Sequence, residues 1–250
     1  MDVTRIRHSG FDINVRVNTP WLDMNVATEV IDNDQYRLIE LKDVGLEPKV
    51  IFDIGGHIGT FGMMAKKLWP KARLFAIEPD SENVHLYRLN VKDAEILHGA
   101  ISYNKNKTYL VRSPTTTGGN ILCPPQEANK YVMEGYRFYD YITHKKVELY
   151  TIEKICKQYN IETIDLAKWD CEGGEVDAFL NMTDAEAEKF RFMVGEYHIW
   201  AQENRYLKGD LFWTIKFWRK VKRKFPHLNF DYKENRLGLF MAWPKKGDNA

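Results

Sequence analysis

The stretch VIFDIGGHIGTF, residues 50–61, joins a short apolar run to a glycine-rich turn and then to a helical pattern. Val50–Gly55 has the length and apolarity of a buried strand. Over residues 59–69 the apolar residues Phe61, Met64, Ala65 and Leu68 fall on one helical face, and Pro70 stops the helix. The same alternation runs outward. Arg73–Glu78 reads as a second strand, Asp80 or Ser81 caps a helix through about Asn90, and Ala94–Ser102 reads as a third strand. Beyond residue 150 come a helix near 151–159, a strand at Ile164–Asp170, helices near 174–180 and 184–189, and a strand at Phe190–Tyr197. An amphipathic helix over 208–224 follows, with Leu211, Ile215, Trp218 and Val221 on one stripe, and then two alternating runs around Lys233–Asn235. Strand–helix alternation predicts an α/β fold with a mostly parallel sheet and helices on both faces, and the tail predicts an antiparallel hairpin at its edge. Residues 1–48 have no clear place in that sheet and are expected to cap its C-terminal edge. Residues 103–145, aromatic and irregular, are expected to be an insertion in the domain that occupies 49–250.

Composition narrows the class. Of 250 residues, 44% are hydrophobic and 13% aromatic, ample for a core, and a net charge of +1 gives no bulk attraction for nucleic acid. No run approaches the length of a membrane span, and the N-terminal segment lacks the apolar core of a secretory signal. Cys123, Cys156 and Cys171 are odd in number and widely spaced, which fits neither a disulfide framework nor a zinc site and suggests a reducing, cytoplasmic setting.

Chemistry starts at the turn. Gly55, Gly56 and Gly59 lie between strand and helix, where glycine permits positive φ and close approach of a ligand to the backbone. Glu78 closes the next strand, where a carboxylate meets the vicinal hydroxyls of a bound ribose. The glycines do not fit G-x-G-x-x-G, so a dinucleotide pyrophosphate is disfavoured. D-x-G-x-x-x-G, with Asp53 two residues ahead of Gly55, fits an S-adenosylmethionine site, in which the acidic residue helps hold the cationic amino-acid end.

Here the sequence resembles the FkbM-type methyltransferases, which carry D-I-G-A-N-I-G-T-F, an E-P pair, a later asparagine, T-L-D, and K-I-D-V-E-G-A-E. This chain has DIGGHIGTF at 53–61, Glu78-Pro79, Asn90, Thr151-Ile152-Glu153, and KWDCEGGE at 168–175. The departures are His57, Glu153, Trp169 and Gly174; His57 brings a bulkier group that can titrate. The resemblance spans about residues 49–198. It implies a class I methyltransferase (Rossmann-like) fold with a seven-stranded sheet, S-adenosylmethionine as donor, and a hydroxyl acceptor on a small molecule or saccharide. On that reading Gly55, His57, Gly59 and Thr60 hold the methionine end, Glu78 the ribose, and Ala100 and Ile101 the adenine.

Ligands of open parallel sheets bind beyond the carboxyl ends of the strands, which places Asp170, Glu172 and His198 around the acceptor, while Glu196, at the end of the same strand as His198, could point either way. His198 is the first choice of general base, with Asp170 orienting it or binding the acceptor and Glu172 beside them. The same group could hold Mg²⁺ through oxygen ligands, although its spacing is not diagnostic of a metal site. The basic end of the helix over 208–224, with Lys216, Arg219, Lys220, Lys222, Arg223 and Lys224, suits an anionic partner or a solvated face. Tyr131, Tyr136, Phe138, Tyr139 and Tyr141 suit packing or stacking on an acceptor, and Thr115–Asn120 a lid or a plain surface loop. Three rival functions remain: a nucleotide-binding scaffold without catalysis, a nucleic-acid methyltransferase, and a dehydrogenase.

Overall fold

A computed structural model describes residues 1–112, 117–125, 145–199, 210–232 and 237–245, with the side chains of residues 145, 210–213 and 237 outside that description. The tyrosine-rich stretch 131–141, Thr115, the start of the helix expected from 208 and the turn Lys233–Asn235 also lie outside the described residues.

The central sheet has seven strands. β3 (Val50–Ile54), β4 (Arg73–Glu78), β5 (Ala94–His98), β11 (Ile164–Trp169) and β12 (Phe190–His198) run parallel, and the antiparallel pair β13 (Leu228–Tyr232) and β14 (Leu237–Pro244) completes it. The order across the sheet is β13-β14-β12-β11-β3-β4-β5, with the chain reversing direction of travel between β3 and β11. That reversal opens a crevice where α/β sheets bind ligands.

Alternation along the strands loads both faces. Phe52 and Ile54 of β3 face one core, with Ile152 and Ile155 of α5 (Ile152–Tyr159), Phe179 of α6 (Gly174–Asn181) and Trp218 of α8 (Asp210–Lys224). Ile51 faces the other, with Phe61 and Met64 of α3 (Thr60–Leu68) and Leu86 and Tyr87 of α4 (Ser81–Asn90). The helices begin where the caps predict. Asp80 accepts the Glu82 N–H at 2.8 Å to start α4, Thr151 accepts the Lys154 N–H at 3.2 Å to start α5, and Thr183 and Glu186 form a capping box on the short α7 (Asp184–Ala187).

Residues 1–48 form the hairpin β1 (Val3–His8) and β2 (Phe11–Arg16), then α1 (Pro20–Ala27), a π-helical turn at Thr28–Asp32, and α2 (Leu38–Asp43). Phe11, Ile13 and Val15 bury one face of β2 in the second core. Asn90 fastens the hairpin to the glycine turn, accepting the Asn14 N–H at 2.7 Å and donating to the Ile58 carbonyl at 2.8 Å. Val26 of α1, the π-turn and Gln35–Tyr36 border the cleft at the strand ends, while β2 packs against α3 and α4.

The third strand is shorter than its apolar pattern predicts. β5 ends at His98, and Ala100–Ile101 (β6) pairs instead with Leu149–Tyr150 (β10). Gly99 makes the switch, because a side chain there would meet the Glu148 carbonyl at 2.5 Å and the Tyr150 ring at the same distance. An arm follows, in which β7 (Tyr109–Val111) pairs antiparallel with β8 (Ile121–Cys123) and with β9 (Lys145–Lys146). Among the described residues, no helix is long and apolar enough to cross a membrane.

Phe179 is the hub of the first core. Its ring, fully buried, meets Trp169 at 5.0 Å, Phe225 at 5.6 Å and Phe240 at 5.7 Å, all edge-on. Phe179→Ala is expected to cost about 3–5 kcal/mol of stability, read as a lowered urea midpoint with an unchanged slope. Phe179→Leu should lose less.

Candidate active site

Parallel strands bring Gly55, Glu78, Asp170 and Glu196 to one edge of the sheet. There they border a cleft of about 1070 Å³, counting its open mouth. Gly55 has φ +82°, and a Cβ on it would lie 1.7 Å from the Asp170 carbonyl oxygen. Only glycine lets the ends of β3 and β11 come so close.

Beneath the turn sits a lysine. Lys168, buried on β11, donates to the Gly55 carbonyl and lies 3.3 Å from Asp53 and 3.8 Å from Asp170. Burial lowers its proton affinity, but Asp53 and Asp170 more than restore it. Asp53 is fully buried and also accepts the Tyr87 hydroxyl at 2.9 Å. Its carboxylate therefore braces the turn from below and does not line the cleft. Gly59 also stands back from the cleft, facing Tyr87 and Val91. Gly55, Gly56, His57, Thr60, Glu78 and Ile101 line it, as does Ala100.

Glu78 is locked by its neighbours. One oxygen accepts the His57 N–H at 2.8 Å, and the other accepts the Asp80 N–H at 2.8 Å and the Asn83 amide at 3.2 Å. Burial pushes its carboxyl up to about 7, with the nearby Asp80 charge adding to the rise and the N–H donors opposing it. His57 is buried and neutral, because desolvation, helped by Arg16 and Lys168, pushes it down to about 3. Its Nε2 lies 2.8 Å from the Thr117 hydroxyl, which donates to Asp23 at 2.9 Å. Thr117 must then accept, so the imidazole proton sits on Nε2 and leaves Nδ1 as an acceptor. Among the described residues, that buried Nδ1 has no hydrogen-bond partner.

The other half of the cleft is acidic. Asp170 accepts the Tyr36 hydroxyl at 2.8 Å, and Glu196 accepts from the Gln35 amide. Burial raises Asp170, but Lys168 and His198 outweigh it and hold the carboxyl below its ordinary range. Glu172, at φ +52°, is pushed up to about 7 chiefly by burial. His198 lies behind these carboxylates and is 3% exposed. Its Nδ1 is 3.0 Å from the buried Glu175 carboxylate, and its Nε2 is 3.4 Å from Glu196 and 3.7 Å from Glu172. Burial opposes its charge, yet Glu175, Glu196 and Glu172 hold it protonated well above the usual histidine range. A histidine that already carries its proton cannot take one, so the expectation of His198 as general base does not fit this environment. Glu175 accepts the N–H of Gly173, the residue capping α6, and also clamps His198.

Several cleft residues carried no signal in the sequence. Val26, Glu29, Gln35 and Tyr36 come from the N-terminal segment. Gly118–Asn120, also on the cleft wall, belong to the stretch expected as a lid or a surface loop. Lys168 did carry a signal: a charge between Ala167 and Trp169 in the apolar end of a strand expected to lie inside the sheet.

The Glu78 shift sets a pH dependence. The folded chain holds the Glu78 proton up to about 7, whereas the ordinary value is 4.5. This stabilisation is therefore complete below about pH 4.5 and lost as pH rises through 7, amounting to roughly 3 kcal/mol. Glu78→Gln should flatten that decline, so its stability in urea should gain on wild type between pH 5 and pH 8. Parallel profiles would show that Glu78 titrates normally.

The Methyltransferase FkbM domain matches residues 53–229. Over 169 residues the chain is 26% identical to "Methyltransferase sdnD" of Sordaria araneosa, covering 58% of this chain and 65% of that protein. Over 161 residues it is 26% identical to "2-O-methyltransferase NoeI" of Sinorhizobium fredii, covering 59% of this chain and 63% of the relative. The match thus spans just under two thirds of each relative's length. Among solved structures, a SAM-dependent methyltransferase from Agrobacterium tumefaciens aligns over 98% of this chain and 71% of its own, at 11% identity and a TM-score of 0.46. With the matching domain covering well over half of its length, this chain belongs to the FkbM methyltransferase family.

Proposed function

We propose that the protein transfers a methyl group from S-adenosylmethionine to a hydroxyl of a small molecule or saccharide. The observation that carries this reading is a single cleft with two unlike ends. One end has a glycine turn backed by Glu78, and the other has Asp170, Glu172 and Glu196 at the adjoining strand ends. Family membership supports methyl transfer, and the 2-O-methyltransferase among the relatives supports oxygen as the acceptor atom.

The residues present suit the donor. The unpaired Nδ1 of His57 and the carboxylate of Glu78 are acceptors at a turn with no phosphate-cradling pattern, which favours a ligand rich in N–H and O–H donors. Gly55, His57 and Thr60 would hold its methionine portion, Glu78 its ribose hydroxyls, and Ala100 and Ile101 its adenine. When bound, the donor supplies an electrophilic methyl group for in-line displacement by an acceptor oxygen. The chain's own work is to aim that oxygen and receive its proton. Positioning of this kind contributes up to about 7–11 kcal/mol. Asp170 and Glu172, both on the cleft wall, are the groups placed to hold the acceptor hydroxyl and take its proton. His198, behind them, orients and neutralises the carboxylates.

The basic end of α8 does not border the cleft; Lys224 pairs with Asp184 at 2.7 Å and Lys222 lies over the Tyr232 ring. No specific observation favours a nucleic-acid substrate.

Methyl transfer from labelled donor to a panel of hydroxylated acceptors tests the reading. With an active acceptor, Asp170→Asn is expected to lower kcat about 10²–10⁴-fold. Calorimetry should show its donor affinity changed only a few-fold. Glu78→Ala should do the reverse, weakening donor binding first. Failure of the wild-type chain to bind S-adenosylmethionine would overturn the proposal.

A further inference from the structure

We infer that Asp170, Glu196 and His198 form a binding site for a hard divalent cation of the Mg²⁺ or Mn²⁺ class at the acceptor end of the cleft. One ligand atom from each lies within 4.8 Å of the other two, a spacing that a single ion at ordinary coordination distances can bridge. Two carboxylates and one imidazole suit a cation that prefers oxygen and tolerates nitrogen.

Proximity of charged groups alone does not make a metal site. What distinguishes this trio is that each member is braced from outside it, by a different element. The buried Glu175 of α6 accepts both the backbone N–H of His198, at 2.6 Å, and its Nδ1, at 3.0 Å, which turns Nε2 toward the carboxylates. Metal-bound histidines are characteristically held this way, by a carboxylate on the ring nitrogen remote from the ion. Gln35 holds Oε1 of Glu196, leaving Oε2 toward His198. Tyr36 holds Oδ2 of Asp170, and among the described residues Oδ1 accepts no hydrogen bond. Three ligand atoms therefore converge while their partner atoms are tied down. The ion would displace the Nε2 proton of His198, so that the ring, a cation beside Asp170, Glu172 and Glu196 in the metal-free chain, becomes a neutral ligand and the ion takes over its charge.

Asp170 and Glu196 face the open cleft, so a cation there keeps positions for water or for a substrate oxygen. In the reaction, which rests on the methyl-transfer reading above, the ion would hold the acceptor hydroxyl beside the donor and make its proton easier to lose to Glu172. The site itself rests on geometry alone.

Titration of the full, metal-stripped chain with Mn²⁺, followed by the electron paramagnetic resonance signal of the free ion, tests the site directly. The expected result is one saturable site per chain, displaced by excess Mg²⁺. Binding should be weakened at least tenfold in Glu196→Gln and in Asp170→Asn and unchanged in the surface variant Glu162→Gln. Calorimetry with S-adenosylmethionine shows whether each variant is folded; should Glu196→Gln fail that check, His198→Gln is the second ligand variant. No saturable Mn²⁺ binding by wild type overturns the inference, as does binding that all three ligand variants retain. Methyl transfer that survives chelator at full rate also overturns the proposed role in the reaction while leaving the methyl-transfer reading intact. Mn²⁺ binding to a chain that does not bind S-adenosylmethionine supports the site and sinks that reading alone.

Discussion

One buried ammonium group holds the ends of the two central strands in register for a ligand. Lys168 on β11 reaches beneath the glycine turn to the Gly55 carbonyl and stands between Asp53 and Asp170. Remove its charge and two carboxylates face each other under a turn whose backbone already presses on the Asp170 carbonyl. Breaking a buried pair of this kind typically costs about 3–5 kcal/mol, chiefly because the surviving charge stays buried without a partner. The cost falls at one place, since the glycine turn and the acidic end of the cleft meet at these atoms.

Around that fixed point the chain closes the cleft with polar contacts. Arg112 and Asn120 of the arm reach Asp80, the cap of α4, and Thr117 reaches Asp23 and His57. At the acidic end Tyr36 and Gln35 reach Asp170 and Glu196. Tyr36 and Gln35 are anchored on carboxylates at the strand ends, and the arm on Asp80 and Asp23 of the flanking helical segments. Hydrogen bonds to charged groups are the stronger kind, and they carry direction that apolar packing lacks. Acidic groups therefore order the walls as well as the chemistry.

The difference between what the sequence told and what it hid follows from this arrangement. Strand, glycine turn and helix at 50–68 are local, so periodicity and capping disclosed them, and Glu78 and Asp170 were legible as strand-end carboxylates. Gly99 was not legible as a break, because the reason for it lies in Glu148 and Tyr150 some fifty residues away. Tyr36, Gln35 and Thr117 are ordinary residues in irregular segments, and only the folded chain gives them partners. His198 was legible as a strand-end residue, but the role expected of it is one its surroundings oppose. Its position is set by a strand end, but its protonation is set by Glu172, Glu175 and Glu196, whose convergence no linear spacing reveals.

His57 shows the converse, a departure in sequence that leaves the chemistry nearly unchanged. The family pattern has asparagine there, a neutral side chain offering a donor and an acceptor. Imidazole at ordinary exposure would add a titrating charge to the turn. Buried beside Arg16 and Lys168, its proton affinity falls to about 3, so the ring stays neutral at any pH above that. A neutral imidazole has one N–H and one lone pair, on opposite edges of a rigid ring. The Thr117–Asp23 chain fixes which is which, spending the N–H on the arm and keeping the lone pair in the turn. The substitution thus preserves the donor–acceptor character of an amide while adding reach, and the reach is what ties the arm to the glycine turn.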